Sequence, residues 1–124
     1  MSKTYQNILS KNDFTPNKDW LQIKTIDMHT GGEPLRVIVD GFPELKGNSV
    51  LEYRLNCKEK FDYLRTTLMF EPRGHADMYG CILLPPNDDE GDFGIIFLHN
   101  EGYSTMCGHA IIAISTLAIK MKWV

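Results

Sequence analysis

The sequence predicts an α+β fold in which a mainly antiparallel sheet packs around a central buried helix. Three observations support this class. Two pairs of strand-like runs are each joined by a turn-forming segment, a helix-start signal precedes apolar residues at helical spacing, and a strongly apolar segment of about three helical turns lies near residue 115. The predicted element order is β-β-α-β-β-α.

The first strand pair covers residues 21–39. Residues 21–29 partly alternate between apolar and polar side chains, as a half-buried strand does. Residues 30–34 contain two adjacent glycines and a proline and are predicted to form a turn, and residues 35–39 read as the returning strand. The segment therefore predicts a β-hairpin.

A helix is predicted after the loop at residues 41–48. Ser49 followed three positions later by Glu52 matches the capping box found at helix starts. Apolar residues then recur near helical spacing, at Leu51, Leu55, Phe61, Leu64 and Leu68. One long amphipathic helix is expected to continue to about Phe70, before Pro72 and Gly74 end it.

The last third of the chain predicts a second hairpin and a second helix. Two apolar runs, residues 78–84 and 93–99, flank a polar tip. A polar, glycine-bearing loop at residues 100–106 then leads to Cys107 and to residues 110–119, which are apolar on nearly every face. A helix of that composition is normally buried.

Composition restricts the classes of function. The net charge of −3 comes from interspersed signs, so neither a nucleic-acid partner nor a membrane partner is expected. No apolar run reaches transmembrane length, and the polar residues 1–20 lack a secretory signal and are expected to form a flexible lead-in. The three cysteines are odd in number and widely spaced, which favours reduced thiols and a cytoplasmic location.

Cys107 is the sharpest candidate for chemistry. It is predicted at the N-terminus of a buried helix, where the positive end of the helix dipole favours a thiolate and unpaired backbone N–H groups can bind a carboxylate. Gly108 leaves room for a ligand to approach the backbone, and His109 could orient that ligand. A thiolate beside a carboxylate site suits removal of an α-proton from an amino acid. The plainer alternative is a small buried apolar residue.

Three other sites can be built from the same residues. In a Cys–His hydrolase, His109 would not face Cys107 from two positions along a helix, so the base would be His29, His75 or His99. A zinc site lacks a second close pair of ligands, and no metal is expected. A phosphate loop is disfavoured because the two glycines at residues 31–32 are followed by Glu and Pro rather than by Lys and a helix.

Three segments, taken together and in this order, resemble the proline racemase family of proline racemases, hydroxyproline 2-epimerases and trans-3-hydroxy-L-proline dehydratases. The resemblance covers roughly residues 21–124. The matching residues are Asp27-Met28-His29-Thr30-Gly31-Gly32-Glu33-Pro34, Glu71-Pro72-Arg73-Gly74-His75-Ala76-Asp77-Met78-Tyr79-Gly80 and Asn100-Glu101-Gly102-Tyr103-Ser104-Thr105-Met106-Cys107-Gly108-His109-Ala110. The second and third segments are most similar to those of animal dehydratases.

This resemblance implies a two-lobed fold of the diaminopimelate epimerase type, with each lobe a sheet wrapped round a central helix. The active site would lie between the lobes and use no cofactor. Cys107 falls on the family's first catalytic cysteine, and Gly108 and His109 fall on the pair whose backbone amides hold the substrate carboxylate. Residues 21–124 would form the N-terminal lobe. We expect the second lobe to be missing from residues 1–124. In the family that lobe carries the partner residue, which is a cysteine in racemases and epimerases and a threonine in dehydratases.

The expected activity is that of a trans-3-hydroxy-L-proline dehydratase, a hydro-lyase that forms Δ1-pyrroline-2-carboxylate. A proline racemase or 4-hydroxyproline 2-epimerase is the alternative within the family, and a catalytically inactive truncated lobe is the alternative from another class. The expected partner is a small-molecule substrate, hydroxyproline or proline, and a homodimer is left open.

Overall fold

The computed structural model describes residues 2–124 and contains a five-stranded sheet with helices on both faces. The α+β class predicted from the sequence is confirmed. In chain order the elements are α1 (Lys3–Ser10), β1 (Lys24–Thr30), β2 (Glu33–Asp40), α2 (Val50–Lys60), α3 (Asp62–Met69), β3 (Tyr79–Leu84), β4 (Gly94–His99), β5 (Gly102–Ser104) and α4 (Gly108–Lys120).

The strands lie in the order β1-β2-β3-β4-β5, so each strand is next to its neighbours in sequence. The pairings β1–β2, β3–β4 and β4–β5 are antiparallel, and β2–β3 is parallel. Helices α2 and α3 form the connection that a parallel pair requires. Both predicted hairpins are therefore present, while β5 lies in a segment expected to be a loop.

The turn between β1 and β2 follows from its two glycines. Thr30 pairs with Glu33, which leaves only Gly31 and Gly32 in the turn. Their φ angles are +58° and +93°. A two-residue turn with positive φ at both positions has the twist that antiparallel strands need, and glycine adopts it without steric cost.

Two helices replace the single long helix that the apolar spacing predicts. The start is confirmed, because Ser49 Oγ accepts a hydrogen bond from the Glu52 amide and Glu52 Oε2 accepts one from the Asn48 amide. The helix then breaks at Phe61, whose φ of −128° and ψ of 17° leave the helical region. The Phe61 ring packs edge-on against Phe42, at 6.1 Å between centroids. Tertiary packing at Phe61 thus accompanies the end of α2 and the start of α3.

The sheet has an apolar core on each face. Helix α4 covers one face with a buried side made of Ala110, Ala113, Ile114, Leu117 and Ala118. Helices α2 and α3 cover the other face, where Cys57, Leu68 and Met69 are buried. The opposite side of α4 exposes Ile111, Ile112 and Ile119 to solvent. Helix α4 is therefore apolar on both sides, and burial against the sheet accounts only for the inner side.

Helix α1 is capped by Ser2, whose Oγ accepts a hydrogen bond from the Tyr5 amide. None of its eight residues is buried. The sequence predicted no helix here, and the flexibility of residues 1–20 stays a prediction. Among residues 2–124, the helices are too short or too polar to cross a membrane.

Candidate active site

Cys107 occupies the N-cap position of α4, as the sequence predicts. Its φ of −150° and ψ of 111° are extended, and its carbonyl accepts the first helical hydrogen bond, from the Ile111 amide at 3.1 Å. The residue is 9% exposed and packs in the apolar core between α4 and the sheet. Cys107 therefore has the extended backbone of a loop residue, although it caps the N-terminus of α4.

The first three amides of α4 form a set of free donors. The N–H groups of Gly108, His109 and Ala110 have no acceptor among residues 2–124, and Cys107 makes no side-chain cap. Gly108 is exposed, and a Cβ added to it would meet nothing within 4 Å. Free amides at the positive end of a helix are suited to bind a carboxylate.

The thiol of Cys107 contacts the imidazole of His109. Sγ lies 3.1 Å from Nδ1 and 3.7 Å from Nε2. The expectation that these two residues cannot meet is wrong, because Cys107 precedes the helix in extended conformation. The rule for positions two apart applies only when both residues are helical.

The third partner of this pair is the backbone of Pro34. Nε2 of His109 lies 3.2 Å from the Pro34 carbonyl oxygen. A carbonyl only accepts hydrogen bonds, so Nε2 carries the hydrogen of this contact, and Nδ1 is the ring nitrogen nearer to the thiol. The arrangement is a thiol, a base and a group that orients the base.

The other three histidines do not serve this thiol. His29, His75 and His99 each use Nδ1 to accept a hydrogen bond from a nearby backbone amide, those of Gly32, Asp77 and Glu101 respectively. Within residues 2–124, none of these rings forms a hydrogen bond with the Cys107 sulfur. The prediction that His29, His75 or His99 could be the base of a Cys–His hydrolase is therefore wrong, because none of these rings bonds to the thiol.

The three segments that carry the family resemblance meet at the start of α4. Thr30 Oγ1 donates a hydrogen bond to the His109 carbonyl at 3.0 Å, which joins the first segment to the third. The Tyr79 ring, from the second segment, lies edge-on to the His109 ring with 5.3 Å between centroids. Sequence reasoning did not assign Thr30, Pro34 or Tyr79 to the site, although their occurrence in the three shared segments was a usable signal.

Burial separates Cys107 from the other cysteines. Cys57 and Cys81 are both 0% exposed. Burial raises the pKa of the Cys81 thiol to about 12 and also raises the pKa of Cys57. Burial is likewise the largest cause that raises the pKa of Tyr79 beside the site, with the Cys107 sulfur as a smaller contribution. These groups stay protonated near neutral pH.

An open cleft of about 460 Å³ lies next to the turn between β1 and β2, and neither Cys107 nor His109 lines it. It is lined by Gly32, Glu33 and Pro34 from the first hairpin and by His75 and Asp77 from the loop before β3. Pro34 thus borders the cleft and also orients His109. In the part of the chain from Ser2 onward, no three His, Cys, Asp or Glu residues are grouped to hold a metal ion.

A sequence profile of the proline racemase family matches residues 25–124. This chain belongs to the proline racemase family. The trans-3-hydroxy-L-proline dehydratase of Colwellia psychrerythraea is 54% identical over 103 residues, which are 83% of this chain and 29% of that protein. The trans-L-3-hydroxyproline dehydratase of Xenopus tropicalis is 52% identical over 104 residues, 84% of this chain and 30% of that protein. The closer likeness to animal dehydratases is not supported, since the bacterial relative matches equally well.

A solved member of the family has the same fold. The crystal structure of a hydroxyproline epimerase from Agrobacterium vitis, with bound trans-4-hydroxy-L-proline, superposes with a TM-score of 0.74 at 28% identity. The match covers 82% of this chain and 30% of that structure. This chain therefore spans about 30% of the length of the relatives that it matches.

Proposed function

We propose that this chain is the N-terminal part of a trans-3-hydroxy-L-proline dehydratase in which Cys107 is the base. The observation that carries the proposal is the contact of 3.1 Å between Cys107 Sγ and His109 Nδ1 at the N-terminus of α4. Two relatives that bear the name of this dehydratase, at 54% and 52% identity, support the choice of reaction.

The first step is formation of the base. The imidazole of His109, held by the Pro34 carbonyl through Nε2, takes the thiol proton on Nδ1. The resulting thiolate lies next to the positive end of α4 and next to an imidazolium, and both favour the negative sulfur.

The second step is recognition of the amino acid. The substrate carboxylate binds to the free amides of Gly108 and His109, which places the α-carbon close to Cys107. Hydrogen bonds from these amides strengthen as negative charge develops on the carboxylate in the transition state. The open space in front of Gly108 lets the carboxylate reach the backbone.

The third step is elimination. The thiolate removes the α-proton and forms the S–H bond, and the C–H electron pair becomes the C2–C3 double bond while the 3-hydroxyl leaves with the C–O pair. A proton from the enzyme completes the water molecule, and the enamine rearranges to Δ1-pyrroline-2-carboxylate. One proton is removed and one is returned, so the reaction balances without an oxidant or reductant.

A racemase or 4-hydroxyproline 2-epimerase is the second candidate, because the solved relative is a hydroxyproline epimerase. In that reaction a second acid delivers a proton to the opposite face of the α-carbon. The group that distinguishes the two reactions would lie in the second lobe, outside the matched 30% of the relatives.

The test uses the whole active site. Residues 22–124 replace the corresponding part of the Colwellia dehydratase, and the chimera is compared with its Cys107→Ser variant in deuterated water. We expect conversion of trans-3-hydroxy-L-proline, lost in the variant, and no deuterium incorporation into L-proline. Because the second lobe of this chimera comes from a dehydratase, the test addresses the role of Cys107 as base, and full activity of Cys107→Ser would refute that role.

The same experiment on the 124-residue chain alone measures what one lobe can do. We expect no turnover or very weak turnover, because water remains in an open site and weakens every hydrogen bond to the carboxylate. Turnover similar to that of the chimera would contradict this. A covalent adduct between Cys107 and substrate, detected by mass, would favour the hydrolase alternative instead of proton transfer.

A further inference from the structure

We propose that Tyr103, together with Asp62 and Arg65, is a positioning residue for the loop that carries Cys107. This inference rests on the proposed role of Cys107 and adds a group of residues on the opposite face of the sheet from α4. These residues touch neither Cys107 nor its ligand site, and they act through the backbone of β5.

Arg65 is the buried charged residue at the centre of this group, with 8% of its surface exposed. Its Nε and one terminal nitrogen donate to the two carboxylate oxygens of Asp62, at 2.8 and 3.1 Å. The other terminal nitrogen donates to the carbonyls of His99 and Asn100, at 2.8 and 2.9 Å. Arg65 therefore ties α3 to the turn between β4 and β5, and its charge is compensated by the Asp62 carboxylate and two backbone carbonyls.

Tyr103 joins the same group from β5. Its hydroxyl donates to Asp62 Oδ1 at 3.0 Å and lies 3.5 Å from the Cys57 sulfur. The guanidinium of Arg65 lies 5.8 Å from the centre of the Tyr103 ring. The hydrogen bond from Arg65 is the largest cause that lowers the pKa of Asp62, so the carboxylate is charged and is a strong acceptor for the Tyr103 hydroxyl.

The connection from Tyr103 to Cys107 is short. Strand β5 has three residues and pairs on one side only, with β4. Ser104 Oγ then donates to the Met106 carbonyl at 2.8 Å and accepts from the Met106 amide at 3.3 Å, so the chain is fixed from Tyr103 to the residue before Cys107. Thr105 and Met106 are exposed. The side chain of Tyr103 thus connects β5 to the apolar core under α2 and α3, four residues before the thiol.

The test is the alkylation rate of Cys107 by iodoacetamide in Tyr103→Phe, followed by mass spectrometry on the 124-residue chain. The variant keeps the ring under Arg65 and loses the contacts of the hydroxyl with Asp62 and with the Cys57 sulfur. Tyr53→Phe is the matched control, because Tyr53 packs against the same core and its hydroxyl has no hydrogen-bond partner among residues 2–124. Cys81, which is 0% exposed, reports global unfolding in the same molecules.

We expect alkylation of Cys107 to become about fivefold faster in Tyr103→Phe, because a loosened loop exposes the sulfur more often. Cys81 should stay unlabelled, and Tyr53→Phe should match the wild type. Arg65→Lys, which keeps the charge and loses the forked donors, should show the same change. An unchanged Cys107 rate in Tyr103→Phe, or labelling of Cys107 and Cys81 at one common rate, would overturn the proposal.

The outcome is independent of the dehydratase assignment. If Cys107→Ser left the chimera active, the proposed function would fail while the alkylation result could still stand. If the chimera behaved as expected and Tyr103→Phe had no effect on alkylation, only the positioning role would fail. In the chimera, Tyr103→Phe should lower kcat more than it raises KM, since the carboxylate amides of α4 are untouched.

Discussion

Cys107 Sγ lies 3.1 Å from His109 Nδ1, and the same imidazole reaches the carbonyl of Pro34 with Nε2. This single ring therefore connects the start of α4 to the start of β2, 75 residues earlier in the chain. Its orientation is fixed by a backbone acceptor, which leaves Nδ1 for the thiol. The reactivity of Cys107 should consequently depend on His109 rather than on the helix terminus alone.

His109→Asn is expected to slow the alkylation of Cys107 at neutral pH by about tenfold, because the acceptor of the thiol proton is lost and the reacting form is the thiolate. The rate is measured with iodoacetamide on the folded chain. His29→Asn is the matched control, since His29 is exposed and bonds only to its own turn through Nδ1. An equal or faster rate in His109→Asn would contradict the role of the imidazole.

Native labelling should distinguish the three cysteines. Burial raises the pKa of Cys81 to about 12 and raises the pKa of Cys57, so both remain thiols well above neutral pH. At about pH 8.5 we expect iodoacetamide to label Cys107 and to leave the other two unmodified until urea unfolds the chain. Mass mapping of the labelled peptides reads the pattern directly, and labelling of Cys81 before Cys107 would contradict it.

The sequence was sufficient for those features of the fold that depend on local chemistry. The glycine pair at residues 31–32 dictated a two-residue turn, and Ser49 with Glu52 marked a helix start. It was insufficient where tertiary packing overrides local pattern. Leucine spacing continues through Phe61, but the ring contact with Phe42 and the non-helical backbone there divide the helix.

The site was predictable in position and not in geometry. A cysteine before an apolar helix indicates an N-cap, but the contact between Cys107 and His109 depends on the extended φ and ψ of Cys107. The contacts of His109 with Thr30 and Pro34 depend on how the hairpin meets α4, a relationship between distant residues. No periodicity within one segment encodes such a contact.

Acid should remove part of the stability through Asp27. Arg36 donates to both carboxylate oxygens of Asp27, at 3.0 and 2.9 Å, and this hydrogen bonding is the largest cause that lowers the pKa of Asp27. A carboxyl with a lowered folded pKa stabilises the fold above its unfolded pKa of about 3.9, and the contribution is lost as the pH falls through the lowered value.

Asp27→Asn should therefore reduce the free energy of unfolding by about 0.5–1 kcal/mol at neutral pH, a modest effect because the Asp27 side chain is half exposed. The difference from the wild type should shrink towards zero as the pH falls below about 4 and through the lowered pKa of Asp27. Urea unfolding across this range gives the measurement. Asp89→Asn, in the exposed tip between β3 and β4, is the control, and a difference that grows in acid would contradict the assignment.

Gly108→Ala should stabilise the chain and at the same time weaken substrate binding. Gly108 is in the first turn of α4, its φ is not in the left-handed region, and an added Cβ would meet nothing within 4 Å. Alanine restricts the unfolded chain more than glycine does, so the free energy of unfolding should rise by about 0.5–1 kcal/mol. Urea unfolding of the 124-residue chain measures this gain.

The same methyl group should harm the chimera, because it occupies the open space through which the substrate carboxylate reaches the amides of Gly108 and His109. We expect KM for trans-3-hydroxy-L-proline to rise by about tenfold or more, since each lost amide contact to a carboxylate is a charge-assisted hydrogen bond. Gly74→Ala is the contrasting variant. Its Cβ would clash with the Met69 carbonyl, so it should destabilise the chain by about 2 kcal/mol or more. An unchanged KM in a stabilised Gly108→Ala chimera would show that the carboxylate does not bind at this helix terminus.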